Sequence, residues 1–167
     1  MIDVLLRMVK RIYRQQKPGA VTLGVVPDGR ALAMVFSHDI DFNRSIANTV
    51  TYAEHERERG FAGTHFIQTK YIRDWDDSIF LNDETRVHVA RLLELGMEVA
   101  SHSVSHSLVF SRFSLGSGEE IYPSYRPFVV SATETHDGFI LGELRVSKFL
   151  LEGMADGIPV ESFTWVS

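Results

Sequence analysis

Ala31-Leu32-Ala33-Met34-Val35-Phe36 runs without a polar residue straight into Ser37-His38-Asp39-Ile40-Asp41. Six consecutive apolar side chains have strand length and no alternation, the pattern of a strand covered on both faces. The same alternation of apolar run and polar end recurs downstream. Asn43 can cap a helix with Ile46, Val50 and Ala53 on its inner stripe, charged residues Glu54 to Arg59 elsewhere, and Gly60 as its stop. A second strand is expected over 63–69, then a helix capped by Asn82 or Asp83, bearing Val89, Leu92 and Leu93 and ended by Gly96. Met97-Glu98-Val99-Ala100 reads as a third strand, ending in Ser101-His102-Ser103-Val104-Ser105-His106. Strand, helix, strand, helix, strand at this spacing predicts right-handed βαβ units and a parallel sheet. In such sheets ligands bind beyond the carboxyl ends of the strands, where both polar clusters fall.

Composition agrees with one folded α/β domain: 167 residues, 44% hydrophobic, 23% charged, net charge −5. The absence of cysteine removes thiolate zinc sites, cysteine nucleophiles and redox motifs, so a metal must be held by the 7 His and 22 Asp and Glu. The mild acidity argues against nucleic acid as a partner. No apolar run reaches 18 residues, so no transmembrane segment is expected.

Residues 1–30 are expected to hold a basic amphipathic helix and a linker strand. Ile2, Leu5, Leu6, Val9, Ile12 and Tyr13 recur at helical period among Arg7, Lys10, Arg11, Arg14 and Lys17, with Pro18-Gly19 as the stop. Packing on its own domain is the favoured reading over a membrane-surface or partner helix. Basic and apolar residues are interleaved, unlike a secretory leader. Residues 31–167 form the second region, with an irregular insertion at about 107–141 that contains a hairpin near 128–131 and 138–141. A helix over 142–154 and a fourth strand over 159–165 complete the pattern.

The chemistry lies in the two clusters. His102 and His106 are four apart, which in a helical turn puts both imidazoles on one face, about 5–6 Å between Cβ atoms. Asp39 and Asp41 flank Ile40, so alternation sends both carboxylates to the same side, where they repel unless a cation or proton intervenes. Capping of the next helix is the plainer role for the pair. Two imidazoles and one carboxylate with an open position make a water-activating divalent-metal site, and the second carboxylate is then a natural general base.

Phe36-Ser37-His38-Asp39-Ile40-Asp41, with His102-Ser103-Val104-Ser105-His106-Ser107 about sixty positions later, resembles the polysaccharide deacetylase family (carbohydrate esterase family 4, the NodB homology domain). Its first motif supplies two aspartates, and its second has the form H-[ST]-x-x-[HS]-x. Residues 31–107 match in order and spacing, and 143–163 more loosely. The resemblance implies a parallel-strand distorted (β/α)7 barrel in which Asp41, His102 and His106 hold a divalent metal, zinc first and cobalt or nickel otherwise. Asp39 is then the catalytic base for removing the acetyl group from an N-acetylated glycan. The aspartates here are separated by Ile40, where the commonest version has them adjacent. After Ser162-Phe163, where the third motif has an arginine, this chain reads Thr164-Trp165-Val166-Ser167, and no late histidine motif is present. A closed α/β barrel takes about 250 residues, so the resemblance is to its N-terminal portion, incomplete at the C-terminus. A catalytically incomplete binding module is the alternative.

Three further expectations concern the surroundings. Trp75, within Arg73-Asp74-Trp75-Asp76-Asp77, and Tyr125 in the insertion are candidate substrate-binding residues. His38 is expected to orient Asp39 or to pack beneath the site, and His136-Asp137 to form a surface turn. An unpaired sheet edge near 160–165 predicts self-association.

Overall fold

The computed structural model describes residues 2–17, 19, 26, 30 and 32–165. The chain divides into two compact units, Met1–Val35 and Phe36–Ser167. The first holds helix α1 (Ile2–Gln16), on which Val4, Leu5, Leu6, Met8, Val9, Ile12 and Tyr13 are exposed. Pro18, most of the expected linker strand and Ala31 lie outside the described residues. No helix among the described residues is long and apolar enough to cross a membrane.

The second unit is built on parallel strands β1 (Ser37–Ile40), β2 (Thr64–Ile67) and β3 (Glu98–Ser101), in that order across the sheet. Helices α2 (Ile46–Glu58) and α3 (Asp83–Glu94) make the two crossovers. The register aligns Ser37 with Thr64 and Glu98, and Ile40 with Ile67 and Ser101. The Asn82 side chain caps α3 by accepting from the Thr85 N–H at 2.9 Å. Ile40, Ile67 and Val99 pack into one core with Ile46 and Ala53 of α2, Val89 and Leu92 of α3, and Leu151 and Met154 of a last helix, α4 (Ile140–Met154). Each buried Ile, Leu, Val or Met of this core contributes roughly 1.5–3 kcal/mol.

Several boundaries differ from expectation. The first strand occupies Ser37–Ile40 and not the described part of the apolar run, 32–36, and Leu32, Met34 and Val35 are exposed. A ladder needs a partner, and among the described residues the strand beside β1 begins at Thr64, whose N–H donates to Phe36 O at 3.0 Å, so no strand stands opposite the apolar run. The insertion hairpin pairs β4 (Phe128–Ser131) with β5 (Glu134–His136), not with 138–141. Asp137 turns the chain at φ +54, and a Cβ on Gly138 would lie 2.3 Å from the Phe113 ring, so this corner requires glycine and ends the strand. Helix α4 therefore starts at Ile140, two residues early. The expected fourth strand is a single parallel bridge, Ser101 to Phe163. Its two hydrogen bonds, Ser101 N–H to Ser162 O at 3.0 Å and Thr164 N–H to Ser101 O at 2.9 Å, carry Thr164 alongside the end of β3.

Candidate metal centre

β1 and β3 end side by side with β2, and their next residues bring the polar clusters together. His102 is buried, as is every residue of the adjoining loop up to Ser107. This loop is not the helical turn that the four-residue spacing suggests. Ser103 and His106 sit at φ +69 and +55, a region non-glycine residues seldom occupy, so the backbone has to be held there. The carboxylate of Glu143, fully buried on α4, does so by accepting from the N–H groups of Val104 (2.7 Å) and Ser105 (2.9 Å). Ser103 Oγ accepts from the His106 N–H at 3.1 Å, and Ser103 O accepts from the Thr69 N–H at 3.0 Å. The imidazoles of His102 and His106 thus meet with ring centres 5.1 Å apart.

Asp41 closes the group. Its Oδ1 lies 3.1 Å from His102 Nε2 and 3.3 Å from His106 Nε2, and the three ligand atoms lie within 4.8 Å of one another. Ligands at zinc distances of about 2.0–2.1 Å in a tetrahedron stand about 3.3 Å apart, which matches both separations. The outer nitrogens decide the chemistry further. His102 Nδ1 lies 3.3 Å from the carbonyl oxygen of Thr164, and His106 Nδ1 lies 3.1 Å from Asp76 Oδ2. Both oxygens can only accept, as can Asp41 Oδ1 opposite the two Nε2 atoms; with Nδ1–H donating outward in each ring, Nε2 presents its lone pair to an ion. Two nitrogen lone pairs and a carboxylate oxygen then converge on one point, an arrangement that repels itself until a cation sits there. Burial first, then the neighbouring His106, lowers the pKa of His102 against the pull of Asp39, Thr164 O and Asp41, so the His102 ring resists protonation. Donor set, spacing and tautomers fit a divalent metal.

A polar network stands behind His106. Asp76 Oδ2 also lies 3.2 Å from the ammonium of Lys70, which donates to Asp74 Oδ1 at 2.8 Å. Asp74 accepts in addition from the Val129 N–H. Burial alone would raise the Asp76 carboxyl, but the His106 hydrogen bond and the Lys70 charge outweigh it and hold the carboxyl below its usual value. It therefore stays an acceptor.

Of the residues singled out in the sequence, Asp41, His102 and His106 meet, and Asp39 is exposed on the same side of β1 as Asp41. Asp41 keeps 43% of its side-chain surface, which leaves one flank of the group open to solvent. Trp75 is 58% exposed on the Asp74–Asp76 loop. Tyr125 is buried instead, its hydroxyl donating to Glu143 Oε1 at 2.9 Å, so it braces the carboxylate that shapes the histidine loop. His38 neither touches Asp39 nor lies under the group. It projects from the other sheet face onto Glu56 of α2. His136 pairs with Glu134 at the surface. Glu143 and Asp76 escape the sequence reading, although Glu143 shares the inner stripe of its helix with Val146 and Leu150, and an acid on such a stripe is a signal.

Comparison of the chain with protein-family models, with curated proteins and with solved structures returns no match.

Proposed function

We propose that this protein is a metal-dependent hydrolase of carbon–nitrogen bonds other than peptide bonds, of the polysaccharide deacetylase type, acting on an N-acetylated glycan. The observation that carries the reading is the convergence of Asp41 Oδ1, His102 Nε2 and His106 Nε2, with Thr164 O and Asp76 placed to accept from the outer nitrogens. The strand order agrees with the first part of the barrel that the family resemblance implies.

Asp41, His102 and His106 would hold the ion, and zinc, cobalt or nickel suits this donor set. When bound, the ion supplies Lewis acidity for a carbonyl oxygen and acidifies water at neutral pH. Asp39 stands exposed on the Asp41 side of β1 and serves as general base, taking a proton from the attacking water, and one proton passes to the amine nitrogen as the C–N bond breaks to give acetate and the free amine. Asp76 keeps the His106 ring oriented and its Nε2 basic, while Thr164 does the same for His102 more weakly, since a carbonyl carries no full charge. The exposed indole of Trp75 offers a flat apolar face for a sugar ring, near enough in sequence to Asp76 to move with the site.

The test is acetate release from an N-acetylglucosamine oligomer by the zinc-loaded chain. The wild type is expected to turn over, and Asp39→Asn to lose about 10²–10⁴-fold in kcat, the range for a lost general base. Equal rates in the variant, or no acetate from a chain shown to carry zinc, would overturn the reading.

A further inference from the structure

The sheet face that packs on α2 carries a second histidine cluster, which the proposed hydrolysis does not use. His38 and His65 are direct neighbours in the β1–β2 register, with rings stacked at 4.8 Å. Glu56 descends onto them from α2, two turns beyond Thr49 and one beyond Ala53, so three residues of this helix's inner stripe face the strands. Glu56 Oε1 lies 2.6 Å from His38 Nε2, and Glu56 Oε2 lies 3.7 Å from His65 Nε2.

We propose that His38, Glu56 and His65 form a second divalent-cation site of zinc type, a structural clamp that fastens β1 to β2 and α2.

Four observations converge on it. The ligand atoms of the three side chains lie within 4.8 Å of one another. Glu56 Oε2 and His65 Nε2 are both buried and both lack a hydrogen-bond partner, although His65 is wholly inaccessible; buried polar atoms in native proteins are seldom left so. The other nitrogen of His65 meets Thr49 Oγ1 at 2.6 Å, and with Nδ1–H donating there, Nε2 turns its lone pair toward the carboxylate. Finally, the carboxylate lies over Gly63, where a Cβ would come within 2.7 Å of Oε2, so the chain leaves this space to the acid and to whatever it binds. A surface groove whose lining includes His38, Asp39, Asn48, Thr49 and Tyr52 opens the His38 side of the cluster to solvent. Two imidazoles and one carboxylate suit zinc better than calcium or magnesium, which take oxygen ligands.

The clamp has a mechanical purpose. Among the described strands β1 has a single partner, and it presents Asp39 and Asp41 to the other face. An ion joining His38 to His65 and Glu56 would fix the strand from behind.

Zinc binding to the full chain separates this proposal from the hydrolase reading. Wild type is expected to bind two equivalents, the Asp41→Asn/His106→Ala double variant one, and the same variant with His38→Gln none. In the double variant, zinc at a hundredfold excess over Kd should raise Tm by about 5–10 °C, an effect absent after His38→Gln or Glu56→Gln. His38 is partly exposed, so its replacement spares the core, and far-ultraviolet circular dichroism reports whether the fold is kept. One equivalent in the wild type that disappears in the double variant overturns the clamp and leaves the first site standing. A residual equivalent indifferent to both His38→Gln and Glu56→Gln overturns it as well. If the first site is the one that fails, the double variant binds as the wild type does while His38→Gln still removes one equivalent.

Discussion

One histidine cluster lies beyond the carboxyl ends of the three-stranded sheet and the other on the face that packs on α2, and they differ in what holds their rings. In the first, each outer nitrogen meets an acceptor, and an acid–lysine–acid network stands behind it, so the rings are aimed before any ligand arrives. In the second, one ring is fixed by Thr49 while two polar atoms stay unpaired in the core. Asp41 is 43% exposed and Glu56 12%. An oriented, open group suits chemistry on a ligand that comes and goes, and a closed group with orphaned atoms suits an ion that stays.

The largest effect expected from breaking this contrast falls on the loop that aims the first pair. Glu143→Ala strands the buried N–H groups of Val104 and Ser105, at about 1–3 kcal/mol each. A loss of about 2–5 kcal/mol in urea unfolding is expected. Glu143→Gln, which can still accept from both, should lose far less. Equal losses would mean that the charge removed in both variants matters, and not the acceptance of these two hydrogen bonds.

Acid should weaken the second cluster next. Burial first, and the His38 imidazole second, push His65 down to about 4 against the pull of Glu56. Between that value and the ordinary 6.5 the unfolded chain binds a proton that the folded chain refuses, so stability is full above pH 6.5 and falls as the pH drops toward 4. The loss in metal-free protein is at most about 3 kcal/mol. Unfolding midpoints in chelator at pH 7 and pH 5 check it, and the difference should shrink in His65→Gln. A pH-independent midpoint would contradict the burial of a neutral His65.

Removing the acceptor behind His106 sharpens the comparison more gently. Asp76→Asn keeps a hydrogen-bond acceptor but loses its charge, and zinc affinity should fall about 10–100-fold with the fold intact. An unchanged Kd would show that the network orients nothing. The smallest effect belongs to the surface pair of His136 and Glu134, where His136→Ala is expected to change neither zinc binding nor stability by more than about 0.5 kcal/mol.

Much of the frame is legible in the sequence because it is periodic. The stripe of Val89, Leu92 and Leu93, the Asn82 cap and the Gly60 and Gly96 stops are local signals, and α2 and α3 obey them. The absence of a strand at 32–36 is not legible, because an apolar run says what can be buried and not whether a partner strand reaches it. The positions of the four strand-end residues Asp39, Asp41, His102 and His106 come from the βα alternation, which sets functional groups beyond strand ends. Their supports do not: Asp76 lies 30 residues from His106, Glu143 lies 38 from Ser105, and Thr164 acts through a backbone carbonyl that any residue could supply. His65 is silent for a related reason, since its significance depends on the register that sets it beside His38.

If Asp41, His102 and His106 hold a divalent ion through one oxygen and two Nε2 atoms, removing one imidazole must remove the site. Zinc titration of the wild type against His106→Ala, with calorimetry against a competing chelator, reads this out. His106→Ala is expected to bind one equivalent fewer than the wild type, a full equivalent lost; the same number of equivalents at the same affinity in both proteins would contradict the metal centre.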